Sequence, residues 1–236
     1  MFLGVRFYKT HLQIIPVNGG NYIEGVVGSI KYLNPLYSNV SDVDSDIASL
    51  VYSSLFRRGE NGQLADDLAE SYSVSQNGKV YTIKVRSDAR WHNGGRLTVD
   101  DIVFTFEAIK NFDYKSPLRS GFTGVEIEKI DDRTIKFTLA EPYAAFADLL
   151  TFGILPQELW QQIEPAAANL AELNLKPIGS GRYKFKSFVK DSSGNIRTYN
   201  LTRNNDYYGD KARIDNFSFK FFGNVTELVS ALNNNL

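Results

Sequence analysis

The clearest signal along the chain is period-two alternation of apolar and polar residues. It occurs in Ser71–Val74 and Val80–Arg86, which flank Gln76-Asn77-Gly78-Lys79. Asn-Gly between two alternating runs is a strong short-range hairpin signal, so residues 71–86 are expected to form a β-hairpin. A second hairpin is expected from Val125–Ile130 and Thr134–Leu139 across Asp131-Asp132-Arg133. Further strands are read at Tyr22–Gly28, Tyr183–Val189, Thr198–Arg203 and Phe217–Phe221. A turn at Asn18-Gly19-Gly20-Asn21 precedes the first of them.

Helical spacing appears elsewhere. Ile47, Leu50, Val51 and Leu55 predict one helix over Asp44–Phe56. Val99, Ile102, Val103, Phe106 and Ile109 share one face of a second helix, with Thr98 as its cap and Asp100 and Asp101 suited to its positive end. Shorter helical stretches are read at Tyr143–Leu150, Pro156–Ile163 and Ala-rich 165–173, and a last helix starts near Thr226. Strands and helices therefore mix along the chain, and the fold class is α/β in the mixed α+β sense.

Composition narrows the function. The 236 residues are 43% hydrophobic and 22% charged, the balance of a folded domain rather than a disordered chain. The 26 Lys and Arg nearly cancel the 27 Asp and Glu, so no summed positive field exists to hold nucleic acid. The 16 Phe, 13 Tyr and 2 Trp fit a strand-rich core or ligand-lining walls. Cysteine is absent, which removes disulfides, thiolate metal sites and cysteine nucleophiles. No run approaches the roughly 20 apolar residues of a membrane span. Met1–His11 carries a short apolar patch, readable as an ordinary first strand or as the remnant of an anchor or signal segment that would have tethered the protein.

Catalytic and metal motifs are not found. His11 and His92 are the two histidines and neither accompanies a Gly-x-Ser-x-Gly element, so catalytic residues are expected to be none. Gly179-Ser180-Gly181 precedes a strand rather than a helix, which argues against a dinucleotide turn. Asp42, Asp44 and Asp46 open like a calcium loop, but Ile47 and Ser53 stand where that loop needs Gly and Glu, so no metal site and no cofactor is expected. Asp66-Asp67 and Asp100-Asp101 are the weak basis of a glycoside hydrolase reading.

Four segments in order resemble one known family. They are Leu33-Asn34-Pro35-Leu36 with Leu50–Phe56; Leu64-Ala65 through Tyr81–Arg86, Trp91–Gly94 and Leu97–Phe104; Pro177–Tyr183; and Leu201–Gly209 with Ile214-Asp215. Within the third, Ser180 and Arg182 stand where the pattern has Thr and Pro. Together they are similar to the family 5 extracellular solute-binding proteins, the peptide receptors of ABC importers.

The resemblance implies a lobe of the type II periplasmic-binding-protein class, with a core from residues 22–56 and 176–236, an inserted subdomain at 57–175 containing the hairpins, and an N-terminal extension at 1–21. It implies that a second lobe and a returning segment lie outside this sequence. It further implies an extracytoplasmic monomer that binds peptides or small solutes and partners permease subunits, with a sensing or structural module derived from such a receptor as the alternative. For the site it points to the loop Ser29, Ile30, Lys31, Tyr32, Leu33 and Asn34 for backbone pairing, and to Leu118 and Phe122 as a side-chain wall.

Overall fold

A computed structural model describes residues 17–59 and 61–234; the Met1–His11 patch lies outside the described residues. The chain forms two four-stranded sheets. The first has the order β1 (Asn21–Val27), β10 (Asn216–Phe222), β9 (Ile196–Arg203), β8 (Tyr183–Lys190). β1 runs parallel to β10, pairing Tyr22 with Phe217 and Val26 with Phe221, so a strand near the start of the chain is locked to one near its end. The second sheet is antiparallel, in the order β4 (Ala69–Val74), β5 (Val80–Val85), β7 (Thr134–Leu139), β6 (Val125–Lys129).

Both expected hairpins are present. In the first, Ser75 N–H donates to Val80 O at 2.9 Å and Gly78 takes the left-handed φ of +69°, the conformation that favours glycine there. In the second, Ile130 N–H closes on Thr134 O at 2.9 Å. β5 and β7 are buried on alternate positions, Tyr81, Ile83 and Val85 against Ile135, Phe137 and Leu139, as half-buried strands require.

Helix α1 (Asp42–Val51) starts at Ser41, whose Oγ accepts the Asp44 N–H. It ends five residues earlier than the spacing predicts, because the backbone beyond Val51 is claimed elsewhere. Gly181 N–H donates to Val51 O, Ile154 N–H to Ser53 O, Leu68 N–H to Ser54 O and Phe56 N–H to Leu150 O. Residues 56–58 then form β2 (Phe56–Arg58), paired with β3 (Leu64–Asp66), a short hairpin without an alternation signal of its own.

Helix α2 (Val99–Lys110) matches its expected register and is held at its start by Asp101, whose carboxylate accepts the Thr98 N–H at 2.8 Å. The expected helices over 143–163 contract to single turns, α3 (Phe146–Leu149) and α4 (Gln157–Trp160), since Gly153 bridges to Ser54 between them. Residues 165–173 form 3-10 turns instead of an α-helix, with Pro165 opening the first and Asn174 Nδ2 bonding Ala168 O. Helix α5 (Val225–Asn233) closes the described chain, capped by Asn224 Oδ1 on the Glu227 N–H.

Candidate functional site

A groove of about 680 Å³ opens where the two sheets' flanking segments meet. One wall carries Ser45 and Ser49 of α1 and Tyr52 just past its end, continued by the turn residues Pro35, Ser38 and Asn39. Leu118, Leu149 and Phe152 line the groove as well, with Gly153 packed against Tyr52 and Pro35. Asp67, Arg182 and Tyr207 lie at one end, and Arg57 and Arg58 stand on the rim.

Each wall is fixed by bonds legible in the residue types. Asn34 Oδ1 accepts the Leu36 N–H at 2.9 Å across Pro35, the local side-chain turn that Asn-Pro favours. Ser116 Oγ donates to Leu36 O at 2.8 Å and Tyr37 Oη to Tyr114 O at 2.8 Å, which ties this turn to the segment bearing Leu118. Burial pushes the Tyr37 phenol up to about 12. Asp44 reaches back from α1 so that its two carboxylate oxygens accept the Lys31 and Tyr32 N–H groups at 2.9 and 3.0 Å. Burial raises its pKa against those bonds, which lower it.

The end of the groove is a polar knot. Asp67, 8% exposed, accepts the Ser54 N–H at 3.0 Å, the Tyr207 hydroxyl at 3.2 Å and the Tyr208 hydroxyl at 2.5 Å. The Arg86 guanidinium lies 4.0 Å from the centre of the Tyr208 ring. Burial, and secondarily the Asp67 charge, raises the pKa of both phenols. Beside the knot, Gly179 and Gly181 press against the end of α1: a Cβ on Gly179 would fall 1.9 Å from Val51 O, and one on Gly181 2.6 Å from Leu50 O. His92 stitches this loop from the other side, with Nδ1 accepting the Gly179 N–H at 3.2 Å and Nε2 facing Gly181 O at 3.1 Å.

Of the eight residues singled out from sequence, Leu118 lines the groove. Phe122, 2% exposed, sits behind the wall, its ring 5.5 Å from that of Phe152 and 5.2 Å from that of Phe106. Ser29 and Lys31 are exposed, Tyr32 is half-buried, and Ile30, Leu33 and Asn34 are buried. The Leu33 N–H donates to Asn174 O, so with Lys31 and Tyr32 three amides of this loop are satisfied internally. Sequence reasoning did not offer the downstream turn residues Ser38 and Asn39, nor Arg57, as site residues; it met Asp67 only in the Asp66-Asp67 pair of the hydrolase reading, Tyr207 only within the Leu201–Gly209 segment, and Arg182 only as the departure from the family's Pro.

The acidic pairs are engaged separately. Asp100 pairs with Lys129 at 2.9 Å on the surface, while Asp101 turns inward to Thr98 and, through its other oxygen, to the Gln157 N–H at 2.9 Å. Among the described residues no cluster of three or more His, Cys, Asp or Glu could hold a metal ion, and no helix is long and apolar enough to cross a membrane.

Comparison with known proteins agrees with this architecture. The chain is 30% identical over 221 residues to the oligopeptide-binding protein AppA of Bacillus subtilis (strain 168), covering 92% of this chain and 40% of that protein. The solved structure of that AppA in complex with a nonapeptide superposes with a TM-score of 0.84 at 29% identity, over 94% of this chain and 44% of its own. NikZ from Campylobacter jejuni, solved in complex with Ni(L-His), gives a TM-score of 0.81 at 32% identity, over 91% and 42%. The chain thus spans well under half the length of these relatives. The model of the bacterial extracellular solute-binding proteins, family 5 (middle region), matches residues 63–235, and the chain belongs to that family.

Proposed function

We propose that this chain supplies one lobe of an extracytoplasmic receptor that captures peptides or related small solutes and passes them to the permease subunits of an ABC importer. The observation that carries the reading is the groove lined by α1 and by Leu118, Leu149 and Phe152, a trough of mixed polar and apolar lining on a chain whose relatives include a receptor solved with a nonapeptide. Such a trough suits an extended ligand held between two lobes, because contacts to both lobes favour the closed state.

In this reading the core of the lobe is residues 22–56 with 176–236, and 57–175 is the inserted subdomain. The pairing of β1 with β10 across that insertion supports the division. Leu118 forms a side-chain wall and Phe122 backs it. The loop Ser29–Asn34 holds α1 through Asp44, and the Pro35–Asn39 turn meets the ligand. The role is binding without turnover, supported by acidic pairs already bound to their own neighbours.

The test is calorimetric titration of tri- to nonapeptides into this 236-residue chain and into the full-length gene product. Half a clamp lacks the contacts that repay the entropy of association, so the chain alone is expected to bind at least about a hundredfold more weakly. Micromolar binding by the chain alone would overturn the half-cleft reading.

A further inference from the structure

The groove has a charge character that the chain as a whole lacks. The sequence is nearly neutral, at a formal net charge of −1. Yet the charged side chains lining the groove are the guanidiniums of Arg57, Arg58 and Arg182 against the carboxylates of Asp67 and Asp148. The two carboxylates are occupied. Asp148 pairs with Arg58 at 2.8 Å, and Asp67 is saturated by the Ser54 N–H and the two tyrosine hydroxyls.

Arg57 and Arg182 have no carboxylate of their own: Arg182 engages the Tyr207 side chain, whose hydroxyl is given to Asp67. Among the described residues no carboxylate lies within ion-pair distance of either. Arg182 is half-buried, with its guanidinium 5.7 Å from the centre of the Tyr207 ring. A guanidinium offers a planar fork of donors matched to a carboxylate, and a half-buried one gains most from such a partner.

We infer that Arg182, with Arg57 on the rim, is a specificity-determining anion anchor, and that the groove selects solutes carrying a carboxylate on the part of the ligand facing this lobe, such as acidic peptides. The inference rests on the receptor reading above.

The experiment titrates the full-length gene product with two isosteric tripeptides, Ala-Glu-Ala and Ala-Gln-Ala. One charge-assisted hydrogen bond gained by the acid predicts a preference for Ala-Glu-Ala of about tenfold or more. The ratio is expected to fall toward one in Arg57→Gln, Arg182→Gln and their combination, and to persist in part in Arg182→Lys. Arg57 is exposed, so Arg57→Gln reads the effect even where Arg182→Gln lowers folding yield. Equal affinities in the unmodified protein would overturn the anion anchor and leave the receptor reading standing. A preference that survives loss of both arginines would overturn their assignment. Binding of neither peptide would overturn the selection of acidic peptides, while the receptor reading stands or falls on the tri- to nonapeptide titration.

Discussion

His92 should make the protein lose stability as the pH falls through mild acid. Its ring sits between two backbone groups: Nδ1 accepts the Gly179 N–H, which fixes the remaining proton on Nε2, facing Gly181 O. A second proton would have to go on Nδ1, directly against the Gly179 N–H. Burial, the largest influence, and the nearby Lys184 ammonium both oppose the charge, while the bond to Gly181 favours it, and the net effect lowers the pKa from 6.5 to about 4. The unfolded chain then binds more protons than the folded one between those values, so stability is complete above about pH 6.5 and is lost as pH falls toward 4. At 1.36 kcal/mol per unit the full effect is about 3 kcal/mol, of which about 2 kcal/mol is lost by pH 5. Urea denaturation of the protein and of His92→Gln at intervals between pH 7.5 and 5 measures it. Carboxylates that also shift, such as Asp44 and Asp101, raised chiefly by burial, are common to both proteins and cancel in the difference. Equal pH slopes in the two proteins would refute the argument.

Three further outcomes are expected. Gly179→Ala should cost more than about 3 kcal/mol in urea denaturation, since its methyl meets backbone at Val51 rather than a movable side chain. Tyr52→Phe should raise stability by about 1 kcal/mol, because among the described residues the buried Tyr52 hydroxyl has no hydrogen-bond partner and its desolvation goes unrepaid; a loss of stability would show that the hydroxyl is satisfied in solution. Asp67→Ala should cost about 3 kcal/mol by leaving the Ser54 N–H and the Tyr207 and Tyr208 hydroxyls without their acceptor. Thermal midpoints above that of the unmodified protein would contradict it.

The strands were legible because alternation and turn chemistry are local. Asn77-Gly78 and Asp131–Arg133 announce their hairpins, and Thr98 with Asp101 announces α2. What failed was any boundary set by distant backbone. Leu55 continues the helical spacing of α1, yet Val51 O is taken by Gly181, 130 residues further on, and Ser54 by Gly153. The groove was hidden for the same reason. Its lining comes from residues 35–58, Asp67, 118–153 and 181–207, and apart from Leu118, which the family resemblance singled out, no local pattern marks them as a wall.

Turns read as structural punctuation prove to position the groove. Gly179 and Gly181 have no side chain so that their backbone can lie on the end of α1, and that contact fixes where Arg182 emerges beside Tyr207. Asn34-Pro35 likewise sets the turn whose Ser38 and Asn39 line the groove beside α1. A glycine change at 179 should therefore act on ligand selection as well as on stability, by displacing Arg182, whereas Asp67→Ala should act through the Tyr207 ring on which that guanidinium rests. Folding and the inferred anchor meet in one short loop: the glycines that lie on the end of α1 lead directly into Arg182.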